Sequence, residues 1–164
     1  MQTKPGSIGK LCPEKHLRRK LAAPGPKISK DRITALACAN ATGSHRLPML
    51  VIGKSKKPRC FKHVNMSAMP IVYTSQKSAW MDSTIFVEWF IETFIPSVKA
   101  HQLKNGKREK TLLLLDNAPT HPSCDILNEK DEFIKVMFLP PNVTSLLQPM
   151  DQGVIETFKR YYRK

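Results

Sequence analysis

A run of four leucines at residues 112–115 ends at an aspartate, Asp116, within the segment TLLLLDNAPTH. A short, continuous apolar run is typical of a strand that is buried on both faces of a sheet. Such a strand constrains the fold, because open α/β sheets place their ligands at the carboxyl ends of their strands. Asp116 then has two interpretations: it starts an Asx turn, or it binds a metal ion.

The other apolar segments predict an α/β fold with a mixed sheet of about five strands flanked by helices. The predicted strands are residues 33–39, 47–53, 71–74, 111–115 and 134–139. Because a turn rich in Asn, Thr and Gly separates the first two, at residues 40–45, we expect them to form a hairpin. The later strands alternate with helical patterns, which include a short helix at residues 125–130.

Four aromatic residues recur at helical spacing between the third and fourth predicted strands. They are Phe86, Trp89, Phe90 and Phe94. A stripe of this kind could stack nucleic-acid bases, but packing against the sheet is the favoured interpretation. Asp82 or Ser83 is expected to cap the start of this helix, and Pro96 is expected to kink or end it.

The length of 164 residues fits one domain. Residues 1–30 are basic and contain many Pro and Gly residues, so we expect an irregular N-terminal segment followed by a domain at residues 31–164. The four cysteines form no CxxC pair, which disfavours a zinc ribbon and favours reduced thiols in the cytosol or nucleus. Every apolar run is far shorter than the roughly 20 residues of a bilayer-spanning helix, so we expect a soluble, intracellular protein with no membrane partner.

An excess of basic residues makes nucleic acid the expected partner. The chain has 27 Lys and Arg against 13 Asp and Glu, which is a net charge of +14. A charge of this size bears on partners more than on fold, although some secreted and ribosome-associated proteins are also basic. The candidate nucleic-acid contacts are Lys54, Lys56, Lys57 and Arg59, which follow a strand, and Lys159, Arg160, Arg163 and Lys164, which lie in the last predicted helix. The first cluster fits phosphate contacts or a nuclear-import signal, and a solvated loop is the alternative.

A second aspartate is expected to reach the same end of the sheet as Asp116. Asp151 lies at the start of the last predicted helix, after one further strand and a proline-bearing loop. Two neighbouring carboxylates repel each other unless a cation lies between them, and Mg²⁺ prefers such oxygen ligands. Each aspartate alone is better explained as a turn or a helix cap, but the two together, in a chain of this charge, favour a metal site. His121 could orient substrate or water there, although a structural histidine in a turn is the favoured interpretation.

Two long segments resemble a known family. LLLLDNAPTH and FLPPNVTSLLQPMDQGVIETFKRYYRK closely resemble the DDE superfamily endonuclease domain of Tigger, pogo and jerky-type transposases, and ITALACANATGSHRLPMLVIGKSKKPRCFK resembles the hairpin that precedes them in that family. The resemblance extends from about residue 23 to residue 164. It implies an RNase H-like fold that cuts and joins DNA with Mg²⁺ or Mn²⁺ held by three acidic residues. Asp116 and Asp151 are the implied second and third acids.

The first acid of the family has no counterpart in this sequence. In the family it lies in a segment resembling N-x-D-E-T on the strand before the hairpin, and neither Glu14 nor Asp31 lies in such a segment. We therefore expect the first strand to be missing and the domain to be cut within its last helix. The expected protein is a nuclear DNA-binding protein derived from a DDE transposase, catalytically incomplete, without a small-molecule cofactor, and with a homodimer as one option. The alternative is an active Mg²⁺-dependent endonuclease or strand-transfer domain. An unrelated Mg²⁺-dependent phosphotransferase is disfavoured, because the sequence lacks a Gly-rich phosphate loop.

Overall fold

The computed structural model describes residues 7–9, 32–140, 148–151 and 153–162. Its strands in these ranges are β1 (Ser7–Gly9), β2 (Arg32–Leu36), β3 (Met49–Gly53), β4 (Ile71–Ser75), β5 (Thr111–Leu115) and β6 (Ile134–Phe138). The α-helices are α1 (Ser83–Trp89), α2 (Ile95–Lys104), α3 (Cys124–Asn128) and α4 (Val154–Tyr162). Among these helices, none combines the length and apolar character that crossing a membrane requires.

The described strands form two sheets, where the sequence predicts one. The first sheet has the order β1-β2-β3-β4, with antiparallel pairing from β1 to β3 and parallel pairing between β3 and β4. The second sheet consists of β5 and β6 in parallel. The mixed α/β class is therefore confirmed. The single sheet is wrong for the described part of the chain, because no strand of the first sheet there pairs with β5 or β6.

Strand β1 corrects the prediction that residues 1–30 are irregular throughout. Ser7 pairs with Thr34 and Gly9 pairs with Arg32, so β1 runs antiparallel to β2. The edge of β2, which was expected to lack a neighbouring strand, is covered over three residues. Ser7–Gly9 contains no proline, so each of its residues keeps the main-chain N–H that a ladder uses, although prolines are frequent elsewhere in residues 1–30. The remainder of residues 1–31 lies outside the described residues, and the domain boundary at residue 31 stays a prediction.

The predicted hairpin is confirmed at β2 and β3, where Leu36 lies opposite Leu50. In the connecting turn, the side-chain oxygen of Asn40 accepts a hydrogen bond from His45 N at 3.0 Å. Gly43 adopts a φ of +71°, a value that other residues rarely take. Strand β3 lies between β2 and β4, and its central residues are buried in the core.

Helix α1 begins where the sequence predicts it. The Asp82 carboxylate accepts a hydrogen bond from Ile85 N at 2.9 Å, which satisfies a free amide of the first turn. All four side chains of the predicted aromatic stripe are buried, so core packing is confirmed and base stacking is not its role. Pro96 does not end the helix. A π-helical segment, Phe90–Phe94, joins α1 to α2, and Pro96 is the second residue of α2, directly after this irregular turn.

Strand β5 is buried on one face only. Leu113 and Leu115 are buried, whereas Leu112 is 54% exposed and Leu114 is 43% exposed. Met137 of β6 lies opposite Leu114 and is also exposed. The prediction of a strand covered on both faces is therefore wrong for the described residues. Side chains of a strand alternate between its two faces, and a run of identical leucines hides that alternation in the sequence.

The two remaining helices differ in their contacts with the rest of the described fold. Helix α3 is fastened to β6, because Asn128 Oδ1 accepts a hydrogen bond from Val136 N at 2.7 Å. Helix α4 follows a 3₁₀ turn at Pro149–Asp151 and begins at Val154, slightly later than predicted. Its apolar residues Val154 and Tyr161 are exposed.

Candidate functional site

Asp116 is the first residue after β5, at the carboxyl end of the parallel pair of β5 and β6. The pairing extends beyond the strands, since Leu139 N donates a hydrogen bond to Leu115 O at 2.8 Å. The structure thus places Asp116 at the strand end where the sequence predicts it, on the edge where α/β sheets present ligand-binding side chains.

A tight turn returns the chain from Asp116 to His121. His121 N donates a hydrogen bond to Ala118 O at 3.1 Å, and His121 Nε2 lies 2.7 Å from Oδ1 of Asp116. The His121 side chain is 8% exposed and that of Asp116 is 35% exposed. The pair is therefore closed to solvent on the imidazole side and open on the carboxylate side.

Two aromatic rings flank the imidazole of His121. Phe86 of α1 meets it edge-on with ring centroids 4.6 Å apart, and Phe138 at the end of β6 lies nearly parallel to it at 6.3 Å. The other ring nitrogen, Nδ1, is buried and has no hydrogen-bond partner among the described residues. The only polar contact of the ring that the described residues provide is therefore with Asp116.

The second predicted acid, Asp151, ends the 3₁₀ turn that precedes α4. Its side chain lies outside what the structure describes, so its distance from Asp116 stays a prediction. The described residues contain no group of three or more His, Cys, Asp and Glu side chains that could hold a metal ion. Asp116 alone fits part of the donor set that Mg²⁺ or Mn²⁺ prefers, because it offers a partly exposed carboxylate oxygen.

We call residues 54–59 the basic loop. Lys54, Lys56, Lys57 and Arg59 are all exposed, as expected for phosphate contacts. Tyr73 of β4 contacts this loop, since its hydroxyl donates a hydrogen bond to Ser55 O at 2.6 Å. Its ring also meets that of Phe61 edge-on at 5.0 Å.

The second basic cluster is only partly described. Lys159 is half-buried on α4, and Arg160 is exposed with its guanidinium 5.8 Å from the centre of the Tyr161 ring. Arg163 and Lys164 lie outside the described residues. The structure therefore describes the basic loop completely and this cluster only in part.

Sequence reasoning missed two features of the surroundings of these sites. Tyr73 was not expected to support the basic loop, although Gly53 gives a signal: a Cβ there would collide with the Tyr73 hydroxyl, so the ring crosses the chain at a glycine. His45 and His101 stack with ring centroids 4.1 Å apart, and no local pattern links positions so distant in the sequence.

The described cysteines are free thiols, and one of them is held protonated. Burial raises the pKa of the Cys38 thiol to about 11, which keeps it protonated and unreactive. The described thiols of Cys38, Cys60 and Cys124 form no disulfide. The chemistry at the end of β5 is therefore that of a carboxylate and an imidazole.

The sequence that forms this mixed α/β domain matches a defined class of protein. Residues 30–164 match the family model of the DDE superfamily endonuclease, and the chain belongs to this family. The resemblance seen in the sequence is thereby confirmed.

The relatives are proteins derived from transposable elements and jerky proteins. The chain is 43% identical over 150 residues to Tigger transposable element-derived protein 7 of Homo sapiens, covering 89% of this chain and 27% of that protein. It is 47% identical over 143 residues to the Jerky protein homolog of Homo sapiens, covering 86% of this chain and 25% of the relative. It is 45% identical over 138 residues to the Jerky protein of Mus musculus, covering 83% of this chain and 24% of that protein. The chain thus spans about a quarter of the length of these relatives. No solved structure matches it.

Proposed function

We propose that this chain is a nuclear DNA-binding protein derived from a DDE transposase, with an RNase H-like fold, and that it is catalytically incomplete. The observation that carries the DNA-binding proposal is the basic loop, a set of four exposed cations held by Tyr73 on a chain of net charge +14. Membership of the DDE superfamily endonuclease family supports DNA as the polyanion. A homodimer stays an option that no observation favours.

The basic loop is suited to phosphate contacts because its cations are solvated but its backbone is anchored. The hydrogen bond from Tyr73 to Ser55 O restrains the loop between Lys54 and Lys56, which lowers the entropy lost when the loop binds a partner. Phosphate contacts of this kind give affinity without reading the base sequence. We therefore expect DNA binding that is weak, largely insensitive to sequence and strongly dependent on salt.

The metal site of the family is proposed to persist here in part. Asp116 and Asp151 are the residues that would hold Mg²⁺ or Mn²⁺, and the ion would supply Lewis-acid activation of water and stabilisation of the leaving oxygen. The family's first acid would come from the strand beside β2. In this chain that position is filled by β1, whose sequence is Ser-Ile-Gly. A strand without an acid supports the proposal that the site is incomplete.

Fluorescence anisotropy with labelled duplex DNA tests the DNA-binding proposal. Raising the salt concentration from about 50 to 200 mM should weaken binding strongly, and the affinity should differ little between unrelated duplexes. Replacing all four loop cations by alanine should reduce the slope of log affinity against log salt by about 1 for each cation that touches a phosphate.

The matched control removes the same number of charges from exposed lysines elsewhere on the chain. These are Lys77, Lys104, Lys110 and Lys130, each replaced by alanine. If binding depends on the basic loop, the loop variant loses more affinity than the control. Equal losses would assign the binding to net charge alone, and an affinity that does not respond to salt would refute the electrostatic proposal.

A further inference from the structure

His121 contacts Asp116 through one carboxylate oxygen only. Nε2 lies 2.7 Å from Oδ1, a distance typical of a strong hydrogen bond to a charged acceptor. No other hydrogen bond to this carboxylate is found among the described residues. With Asp116 about one-third exposed, Oδ2 is the oxygen that remains for an external ligand.

The burial of Nδ1 decides which ring nitrogen of His121 carries the proton. Nδ1 has no partner among the described residues, so a proton there would be a buried donor without an acceptor. A buried donor of that kind costs its full desolvation free energy. With its proton on Nε2 the neutral ring donates to Oδ1 of Asp116, whereas with the proton on Nδ1 the lone pair of Nε2 would face the carboxylate oxygen.

The ring is also held in place mechanically. Phe86 and Phe138 flank it, and the hydrogen bond from His121 N to Ala118 O fixes the turn that carries it. Phe86 is fully buried in the core, so the ring that meets His121 edge-on is itself held by core packing. The carboxylate of Asp116 is therefore bonded to a side chain that two flanking rings and a hydrogen-bonded turn position.

We propose that His121 is a positioning residue that, with its proton on Nε2, holds Oδ1 of Asp116 and leaves Oδ2 as the oxygen presented to a divalent cation. The inference rests on the proposed function, since the cation site itself is part of that proposal. A hydrogen bond to the far oxygen of a metal-binding carboxylate orients that ligand, and its loss typically weakens metal binding about 10–100-fold. A histidine that only filled the turn would affect folding and leave the metal affinity of the folded chain unchanged.

The first experiment needs no metal. A long-range ¹H–¹⁵N correlation spectrum of the 164-residue chain reports the tautomer of His121. We expect the proton on Nε2 and expect its resonance to lose protection from exchange in Asp116→Ala, which removes the acceptor. A proton on Nδ1 would overturn the proposal whatever the chain does with metal ions.

The second experiment measures Mn²⁺ affinity by electron paramagnetic resonance of the free ion. His121→Phe keeps a ring between the two phenylalanines but removes the donor, and His121→Gln keeps a donor near the position of Nε2. The Phe variant should bind Mn²⁺ about 10–100-fold more weakly, and the Gln variant should recover most of that loss. Unchanged affinity in the Phe variant would overturn the positioning role.

Two controls separate the possible failures. Thermal unfolding shows whether each variant is folded. If the Phe variant is not folded, the Mn²⁺ affinity of the Gln variant and the ring spectrum of the unmodified chain decide whether His121 positions Asp116. An unmodified chain whose Mn²⁺ binding does not change in Asp116→Asn would refute the proposed metal site. The ring spectrum would still show whether His121 holds the carboxylate.

Discussion

At the scale of single residues, the surroundings of an ionisable side chain determine its behaviour more than its type does. His121 lies between phenylalanine rings and has one polar partner among the described residues, whereas His45 stacks on another histidine near the surface. Cys38 is held protonated by burial. Each of these environments is assembled from elements that are distant in the sequence, and each changes what the side chain can do.

The stacked histidines predict a loss of stability on acidification. Burial, and in second place the neighbouring His101, lower the pKa of His45 from its ordinary value of 6.5. Such a histidine binds its proton more readily in the unfolded chain, so it has no effect above that value and destabilises the fold as the pH decreases below it. We expect Tm to decrease between about pH 7.5 and pH 5.5, and to decrease less in His45→Gln. Thermal unfolding at both pH values checks this, and equal decreases would exclude His45 as the cause.

The residues of the candidate site were predictable to different degrees. Asp116 and the cap at Asp82 follow from local sequence, because a strand end and a helix start have recognisable chemistry. The pairing of His121 with Asp116 is also short in sequence, but its burial depends on Phe86 of a separate helix. The stacking of His45 and the support of the basic loop by Tyr73 require the tertiary fold, so the sequence shows no sign of the first and only a glycine as a sign of the second.

At the scale of elements, strand positions were easier to predict than strand neighbours. Each predicted strand is present in the structure, with ends shifted by a few residues for most of them. The division into two sheets was not predictable, because apolar periodicity records that a face is covered without recording what covers it. The same limit explains β5, whose uninterrupted leucines predict two buried faces although only one is covered.

The one-sided burial of β5 predicts different effects for two neighbouring leucines. Leu113→Ala removes a buried side chain and should lower the free energy of unfolding by about 2–5 kcal/mol. Leu114→Ala, on the exposed face, should change it by less than about 1 kcal/mol. Chemical denaturation of both variants measures the difference. Similar decreases would mean that the outer face of β5 is covered in solution.

At the scale of the whole molecule, the chain combines a strong positive charge with a proposed deficit of carboxylates. The charge of +14 favours accumulation of a polyanion such as DNA near the surface, whatever the state of the proposed metal site. The DNA binding that we propose and any strand cleavage are therefore separable. The first depends on exposed cations, and the second depends on how many acids reach one metal site.

We expect little or no nicking of supercoiled plasmid by this chain in Mg²⁺ or Mn²⁺. Two carboxylates leave a metal ion of the site short of ligands, so Asp116→Asn should reduce metal affinity while the activity stays near its low baseline. Gel electrophoresis of the plasmid checks this, with a metal-free sample as the control. Strong metal-dependent nicking that Asp151→Ala abolishes would show that a third acid is present, and Glu156 of α4 is the first residue to test.

The pairing of β1 with β2 has a consequence for how such a chain can evolve. The two strands are joined in register by main-chain N–H and C=O groups, which every residue except proline carries. A substitution that removes an acid from this strand therefore leaves the sheet intact. One substitution can therefore remove catalysis and leave the fold and its basic surface unchanged. A gene in that condition still encodes a stable protein that selection can adopt for a new purpose.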